Sequence, residues 1–554
     1  MSAADGPATR GAMAGTVGTP PHVTARDAPA APAQRHRRTG REPAWWWWTA
    51  GYVVAAILLF LCYLRISGTQ AVTSDGASNA LQAWDMLHGN LWLHGWALTD
   101  VSFYTTELPE YALVELLRGL GPADVHIAAA LSYTLLVVLA GLLAKGRATG
   151  ISGLVRVLIA SGIMIAPEIG PGAFILLLSP DHTGTGVPLL LIFLLLDRAP
   201  RRWWVPVAAG LLLVWVQIGD RLAFTIGALP IVVVCAVRAY QGLAQRREPM
   251  SSRWFELTLG GAALVSEPVA SVVVKTIGHL GGFVVAPLQT TFDASANWPA
   301  HLSLMTEGIL GLYGADITGR PLGVFAAVAL LHLAGLALAA WAFARAIRRF
   351  FGWEDMIVQI LAVAIVVNLA AYFFSILPRT FWDTREIAAV LPFGAVLAGR
   401  LLADQLTAAR LLPLLGACLL GYVFALGYGI SRPNPPAHDQ ALTNWLAAHH
   451  LTGGLGSYAE GNSVTIDSGG SIQLRAANFG SSGVSPGTHN SQSSWYDPRQ
   501  HNANFVVTTT QDGTHFYIPP AKIVAAFGPP AHTYHYSVYT IMVYSKNLLA
   551  SLQP

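Results

Sequence analysis

The feature that most constrains the fold is a series of apolar segments, each close to the roughly 20 residues that an α-helix needs to cross a bilayer. Of the 554 residues, 53% are apolar and only 11% are charged, whereas a soluble domain carries about 25% charged residues. The apolar segments lie near residues 45–64, 127–144, 151–166, 184–197, 203–218, 222–238, 255–273, 321–344, 356–377, 387–401 and 411–430. The sequence therefore predicts a mainly α-helical, polytopic membrane protein with about eleven transmembrane helices.

Residues 1–43, before the first apolar segment, are predicted to be a disordered cytoplasmic tail. They are rich in Ala, Gly, Pro, Thr and Arg and show no hydrophobic period, so they cannot bury enough surface to fold. The tail ends in the basic sequence RHRRTGRE, and basic residues before a first membrane helix keep that end in the cytoplasm. With an odd number of spans, the same rule puts the C-terminus outside a bacterial plasma membrane.

Residues 44–430 form the predicted transmembrane module, and residues 431–554 form a predicted small extracytoplasmic α/β domain. The prolines of SRPNPP are typical of a linker between the two. The stretch HDQALTNWLAAHHL is predicted to be a helix. Four short runs of β-forming residues are predicted to be strands: Val464–Ile466, Ile472–Leu474, Phe505–Thr508 and Tyr539–Val543.

Composition and motifs exclude several classes of protein. The net charge is +3 and the basic residues are spread along the chain, which argues against nucleic-acid binding. Cys62, Cys235 and Cys418 lie far apart in apolar segments, so they build neither a disulfide framework nor a zinc pattern. The sequence also has no glycine-rich nucleotide-binding motif and no GxSxG motif.

The loop after the first apolar segment, SDGASNALQAWDMLHGNLWLHGWALTDVSFYTTELPE, is the main candidate for a functional site. Acids and amides gathered at a membrane face are typical of a polar site. At helical spacing, the polar side of its first helix carries Asp75, Asn79, Gln82 and Asp85. The opposite side carries Ala80, Leu81, Trp84 and Leu87, which are expected to lie in the membrane interface. Asp75 is the candidate catalytic base, with Asn79 and Gln82 beside it to bind substrate. The alternative is that Asp75 only caps the helix.

The second outer loop, APEIGPGAFILLLSPDHTGTG, contains two acids and a histidine: Glu168, Asp181 and His182. Its apolar part, residues 171–179, is too short to span, so it is expected to return to the same face as an interfacial helix. Asp181 and His182 can be simple turn residues after Pro180. As functional groups, they could bring a second carboxylate and an imidazole near Asp75, or bind a divalent cation.

Few basic residues are predicted on the outer side, and four of them are candidates for binding a phosphate: Arg221, Lys275, Arg379 and Arg385. Each can also be an ordinary interfacial charge. The forked donors of arginine suit the phosphate of a membrane lipid. Arg385 is the first candidate for that role and Arg379 the second.

The order of these features resembles the C-type glycosyltransferase superfamily, which includes the protein O-mannosyltransferases and the bacterial lipid A aminoarabinose transferases. The resemblance covers residues 44–400 and rests on TSDGASNALQAWDML after the first helix and on the order of the loops. It implies a sugar donor carried on polyprenyl phosphate, transfer on the outer face, and inversion at the anomeric carbon. By position, it implies Asp75 as the base and Glu168 or Asp181 as the second acid. Many relatives have two adjacent acids in the first loop, whereas Gly76 follows Asp75 here.

The residues and the resemblance together predict an inverting glycosyltransferase that acts on an envelope glycan, lipid or protein. In such a reaction a carboxylate takes a proton from an acceptor hydroxyl, and a cation holds the leaving phosphate. One alternative is a lipid-linked sugar flippase or transporter, whose polar groups would lie near the membrane midplane. Another is a non-catalytic membrane protein of envelope assembly, whose loop acids could be replaced without loss of activity.

Overall fold

The computed structural model describes residues 45–199, 201–245, 249–287, 291–352, 355–434, 439–480, 483–509 and 517–553. The predicted disordered tail, residues 1–43, lies outside the described residues. Residues 51–554 group into one compact unit. The membrane helices and the C-terminal domain can therefore be described in one frame.

Most of the described chain is helical. Its α-helices are α1 (Trp45–Ser67), α2 (Ser74–Leu87), α3 (Leu108–Arg118), α4 (Ala123–Lys145), α5 (Gly150–Met164), α6 (Pro171–Leu176), α7 (Gly186–Arg198), α8 (Trp204–Gly219), α9 (Leu229–Tyr240), α10 (Trp254–His279), α11 (Trp298–Tyr313), α12 (Val324–Arg348), α13 (Met356–Phe374), α14 (Val390–Ala408), α15 (Leu412–Ser431), α16 (Gln440–Ala448), α17 (Tyr458–Asp467) and α18 (Pro520–Phe527). Short π-helical segments, Phe224–Ala228 and Gln241–Gln245, flank α9, and a 3-10 helix, Phe381–Ile387, precedes α14.

Each apolar segment predicted from the sequence coincides with a helix, and the prediction of a mainly α-helical membrane protein is confirmed. The predicted number of about eleven spans is not confirmed. In the described part of the chain, seven helices are long and apolar enough to cross a membrane, or eight if the 3-10 helix and α14, bent by 46°, count as one span. Helices α5, α7 and α8 have only 15, 13 and 16 residues, which is short for a bilayer core of about 30 Å.

Helix α2 is amphipathic as predicted, but both of its sides are buried over most of its first ten residues, whereas Trp84 is half-buried and Leu87 is exposed. Its N-cap is Thr73, whose side chain accepts a hydrogen bond from the Gly76 amide at 3.4 Å. The capping alternative for Asp75 is therefore wrong, because Asp75 lies inside the first turn. Ala80 and Leu81, expected in the membrane interface, are instead buried in the protein, since α2 packs against α3 and α17.

The described strands form two sheets. They are β1 (Trp96–Leu98), β2 (Val284–Val285), β3 (Gly453–Gly456), β4 (Gln473–Phe479), β5 (Val484–Pro486), β6 (Ser491–Gln492), β7 (Phe505–Thr509), β8 (His532–Tyr536) and β9 (Tyr539–Val543). The C-terminal sheet has the order β5-β4-β3-β7-β9-β8. In it, β3 is parallel to β4 and β7, and the remaining pairs are antiparallel.

Three of the four strands predicted in the C-terminal domain overlap β4, β7 and β9, but the strand predicted at Val464–Ile466 is wrong. These residues lie in α17, which Ser457 caps by accepting a hydrogen bond from the Ala459 amide at 3.2 Å. Val464 and Ile466 are completely buried. The β-branched run favours a strand locally, and packing of the helix against β4 and α2 overrides that preference.

A small second sheet joins the C-terminal domain to the loop that follows α1, which is the predicted first outer loop. Strand β1 of that loop pairs parallel with β2 and antiparallel with β6 of the C-terminal domain. The rings of Trp96 and Trp495 pack edge to face beside it, with their centroids 5.0 Å apart. The first outer loop is therefore held by strands from two distant parts of the chain.

Candidate active site

Asp75 is the centre of a cluster of polar side chains at the N-terminal end of α2. Its Oδ2 lies 3.1 Å from Nη1 of Arg385, and its Oδ1 accepts a hydrogen bond from the Tyr458 hydroxyl at 2.7 Å. Arg385 comes from the 3-10 helix before α14, and Tyr458 from the first turn of α17. The Asp75 side chain is 29% exposed, so a substrate can reach the carboxylate.

Arg385 lies between two carboxylates and over an aromatic ring. Its Nη1 is 3.1 Å from Asp75 and 3.7 Å from Oδ2 of Asp181. Its Cζ lies 4.6 Å from the centroid of the Trp382 ring, an attractive arrangement for a cation. Trp382 in turn packs edge to face on Phe174 of α6. These contacts fix the guanidinium between α2 and the second outer loop.

Asp181, in the loop between α6 and α7, is only 3% exposed. Its carboxylate accepts hydrogen bonds from Asn79 Nδ2 at 2.8 Å and from Ser179 Oγ at 2.7 Å. Burial raises the pKa of Asp181, and the positive charge of Arg385 offsets part of that rise. The structure thus brings together Asp75, Asn79, Asp181 and Arg385.

His182, which directly follows Asp181, belongs to a second network of hydrogen-bonded side chains. Its Nδ1 lies 2.9 Å from Asp220 Oδ2, and its Nε2 lies 3.1 Å from Glu386 Oε1. Thr185 also donates a hydrogen bond to Asp220, at 2.6 Å. Burial lowers the pKa of His182, but the two carboxylates outweigh burial and raise it well above its ordinary value. The imidazole therefore lies between two acids that favour its charged form.

The two networks meet at two dipeptides, Asp181-His182 and Arg385-Glu386. In each dipeptide the first side chain belongs to the Asp75 cluster and the second to the His182 network. His182 has a positive φ of 57°, a conformation uncommon for residues other than glycine. This backbone turn helps to point the two neighbouring side chains to different networks.

The His182 network lines a cavity of about 310 Å³, which we call the mixed cavity because its lining contains both polar and apolar side chains. The polar lining residues include Asp100, His182, Asp220, Arg221, Asn368 and Glu386. The apolar lining residues include Val101, Leu222, Phe292, Ala371 and Leu377. Burial raises the pKa of Asp100, and the nearby charge of Glu386 adds to the rise. Such a mixed lining suits a ligand with a polar head and a hydrocarbon part.

A second cavity, of about 650 Å³, adjoins the first at Arg221. It is also lined by Lys275 and His279, which lie one helical turn apart on α10, and by β2. Within the described residues, neither Arg221 nor Lys275 forms an ion pair with a carboxylate. The structure therefore brings these two predicted phosphate-binding candidates to one cavity.

Three other residues predicted from the sequence lie elsewhere. Glu168 pairs with Arg320 and lines a separate small cavity of about 70 Å³. Gln82 is buried, and its amide donates to Ser78 Oγ at 3.1 Å. Arg379 is exposed, and its Nε donates to the Ile376 carbonyl oxygen at 3.1 Å. Their predicted roles in catalysis and substrate binding stay predictions.

Among the residues that the structure describes, no three His, Cys, Asp or Glu side chains are grouped to hold a metal ion. The acids of the two networks pair instead with Arg385 and His182.

Three residues of these networks were not predicted from the sequence: Glu386, Tyr458, and Asn490, whose Nδ2 donates to the Tyr458 hydroxyl at 2.8 Å. Glu386 could have been found, because it follows the candidate Arg385 directly. Tyr458 and Asn490 carried no local signal, since the Tyr458 hydroxyl meets Asp75 across 383 residues of sequence.

Comparison with solved structures gives neighbours of one kind. The apo aminoarabinose transferase ArnT from Cupriavidus metallidurans superposes with a TM-score of 0.53 at 12% identity, covering 92% of this chain and 100% of that chain. The same protein bound to undecaprenyl phosphate gives 0.51 at 12% identity, over 92% and 99% of the two chains. The oligosaccharyltransferase of Archaeoglobus fulgidus, tethered to an acceptor peptide, gives 0.48 at 14% identity over 87% and 71%. No protein-family model and no curated protein matches the sequence.

The fold is thus that of the C-type glycosyltransferases, and the resemblance predicted from the sequence is confirmed at the level of the fold.

Proposed function

We propose that the protein transfers a sugar from a polyprenyl-phosphate donor to a cell-envelope glycan, lipid or protein on the outer face of a bacterial plasma membrane. The observation that carries the proposal is the partly exposed Asp75 carboxylate, held by Arg385 and Tyr458. Two residues that line the mixed cavity, His182 and Glu386, directly follow Asp181 and Arg385 of this cluster in the sequence. The fold shared with ArnT supports the reaction class. The complex of ArnT with undecaprenyl phosphate supports a lipid-phosphate donor.

In the proposed reaction, Asp75 takes the proton of an acceptor hydroxyl. The acceptor oxygen bonds to the anomeric carbon from the face opposite the phosphate, and the bond from that carbon to the phosphate oxygen breaks, which inverts the configuration. A carboxylate offers about four lone-pair sites, and the Arg385 and Tyr458 donors occupy two of them. Asp75 therefore keeps sites for the acceptor proton.

Asp181 is the better candidate for the second acid. It shares Arg385 with Asp75, whereas Glu168 is engaged by Arg320. Buried at 3% exposure, Asp181 acts by holding Asn79 and Arg385 in place rather than by touching the acceptor.

The leaving phosphate is proposed to bind at Arg221 and Lys275. Arg385, the first candidate from the sequence, already faces two carboxylates, so little of its charge is available to an anion. Arg221 and Lys275 line one cavity, and Arg221 also lines the mixed cavity beside the His182 network. The apolar lining residues of the mixed cavity, among them Leu222 and Leu377, suit the first isoprene units of the donor.

The test uses purified full-length protein in liposomes, defined radiolabelled polyprenyl-phosphate sugars, and an envelope extract as the acceptor. Label should enter the acceptor with the wild-type protein. Asp75→Asn should lower the rate by about 10²–10⁴-fold, the usual effect of removing a general base. Because Thr73 caps α2, Asn at position 75 should leave the helix intact.

Asp85→Asn is the matched control. Asp85 lies on the same helix, and its Oδ2 accepts hydrogen bonds from Trp96 Nε1 and Asn90 Nδ2, both at 2.7 Å. This variant should transfer sugar at close to the wild-type rate. Near wild-type transfer by Asp75→Asn would contradict the assignment of the base. Label that crosses the bilayer without forming a glycosidic bond would indicate a flippase instead.

A further inference from the structure

Tyr458 of the C-terminal domain contacts the candidate base directly, although no role for this domain was predicted from the sequence. Its hydroxyl donates to Asp75 Oδ1 at 2.7 Å and accepts a hydrogen bond from Asn490 Nδ2 at 2.8 Å. Burial raises the pKa of the Tyr458 phenol, and the charge of Asp75 raises it further. The phenol is therefore a neutral donor to the carboxylate.

Both C-terminal side chains are held to the first outer loop by backbone contacts. The Ser74 hydroxyl donates to the carbonyl oxygen of Tyr458, and α17 packs on α2. Asn490 precedes β6, which pairs with β1, and its Oδ1 accepts from the Thr99 amide at 3.4 Å. Asn490 has a positive φ of 45°, which asparagine tolerates better than most residues.

We propose that Tyr458 is a positioning residue for Asp75, that Asn490 holds its phenol in place, and that the C-terminal domain is in this way a required part of the active site. The catalytic consequence rests on the proposed function, whereas the coupling between Tyr458 and Asp75 does not. Tyr458 and Arg385 hold one carboxylate oxygen each, which fixes the plane of the carboxylate toward the acceptor. A base that is fixed before the substrate binds loses less orientational freedom in the transition state.

Three groups face Asp75. They are Arg385 from the 3-10 helix, Asp181 from the loop before α7, and Tyr458 from α17. Tyr458→Phe removes one of the two contacts that fix the plane of the carboxylate and leaves the other two groups in place. The base is then less well oriented toward the acceptor, so kcat should fall while the lipid donor binds as before.

The experiment measures kcat and the KM for the lipid donor with the purified full-length protein and its Tyr458→Phe variant. The loss of a hydrogen bond to a charged group predicts a fall in kcat of about 10- to 100-fold, with the KM for the lipid donor unchanged. Tyr496→Phe is the matched control, because Tyr496 is a buried tyrosine of the same domain whose hydroxyl donates to the Ala476 carbonyl oxygen. A wild-type kcat in folded Tyr458→Phe would overturn the proposal.

An infrared difference spectrum of the Asp75 carboxylate band separates this proposal from the proposed function. The band is assigned by its absence in Asp75→Asn, and its frequency should shift in Tyr458→Phe, which removes the hydrogen bond from Tyr458 to the carboxylate. If the wild-type protein transfers no sugar, the spectrum still decides whether Tyr458 acts on Asp75. If Tyr458→Phe does not fold, Asn490→Ala is measured in the same way, with a smaller shift in the same direction expected. An unmoved band in the folded variants would overturn the proposal.

Discussion

At the scale of single residues, each of the two networks places one cation between two carboxylates. Arg385 lies between Asp75 and Asp181, and His182 lies between Asp220 and Glu386. Each network therefore has two acidic side chains for one basic side chain and disfavours an additional anion. A donor phosphate would meet a more favourable potential where Arg221 and Lys275 line their shared cavity.

This charge arrangement predicts different effects for the two groups of cations. Arg221→Ala and Lys275→Ala should each raise the KM for the lipid donor by about 10-fold or more, the usual effect of losing a hydrogen bond to a charged group. Arg385→Ala should instead lower kcat, because Asp75 loses the partner that orients it. Steady-state kinetics with a varied donor concentration measures both effects.

Arg499→Ala serves as the control, because Arg499 is 89% exposed on the C-terminal domain. A donor KM that rises for Arg385→Ala and stays constant for Arg221→Ala and Lys275→Ala would place the phosphate at Arg385, the first candidate from the sequence.

At the scale of elements, helix α3 carries an unpaired acid in its buried face. Glu115 is 2% exposed, and within the described residues neither carboxylate oxygen has a hydrogen-bond partner. Burial raises the pKa of Glu115 to about 9, and the nearby charge of Asp124 adds to the rise. The folded protein therefore keeps a proton that the unfolded chain releases at about pH 4.3.

Because of this difference, Glu115 should make the protein less stable as the pH rises. The folded state binds the extra proton between about pH 4.3 and the raised pKa, so the free energy of unfolding falls across that range. Glu115→Gln removes the ionisation, and the gain in its Tm over the wild type should widen from pH 5 to pH 9. Thermal unfolding in detergent measures this gain. Glu307→Gln, at an exposed position of α11, is the control, and a gain for Glu115→Gln that does not vary with pH would contradict the argument.

Local sequence predicted the apolar elements well and the short C-terminal elements less well. An apolar segment has few alternatives to a helix in a membrane, because its backbone groups must be satisfied within the segment. The run Val464–Ile466 has such alternatives in a water-exposed domain, and there its packing against β4 and α2 decides the structure. Helix lengths were predicted less well, since α5, α7 and α8 are shorter than a membrane span requires.

At the scale of the whole molecule, the site is assembled from segments that are far apart in the sequence. Asp75 follows α1, Asp181 precedes α7, Asp220 ends α8, Arg385 precedes α14, and Tyr458 begins α17. The sequence identified Asp75, Asp181 and Arg385 one by one, because each is a polar residue at the end of an apolar segment. Their mutual contacts, across as many as 310 residues, depend on how the helices pack, which no local pattern records.

The orientation of the helices in the membrane stays a prediction from the sequence. Arg400 bonds to Asp197 near the end of α7 and to Asp355 before α13, at 2.7 and 2.5 Å. Basic residues also lie in the last turns of α4, α7, α9 and α12, and basic helix ends are expected at a cytoplasmic face. We therefore predict that alkaline phosphatase, which is active only outside the cytoplasm, gives signal when fused after Pro554 and none when fused after Arg410. Expression of both fusions is checked by immunoblotting. The reverse pattern would put Asp75 in the cytoplasm and contradict transfer on the outer face.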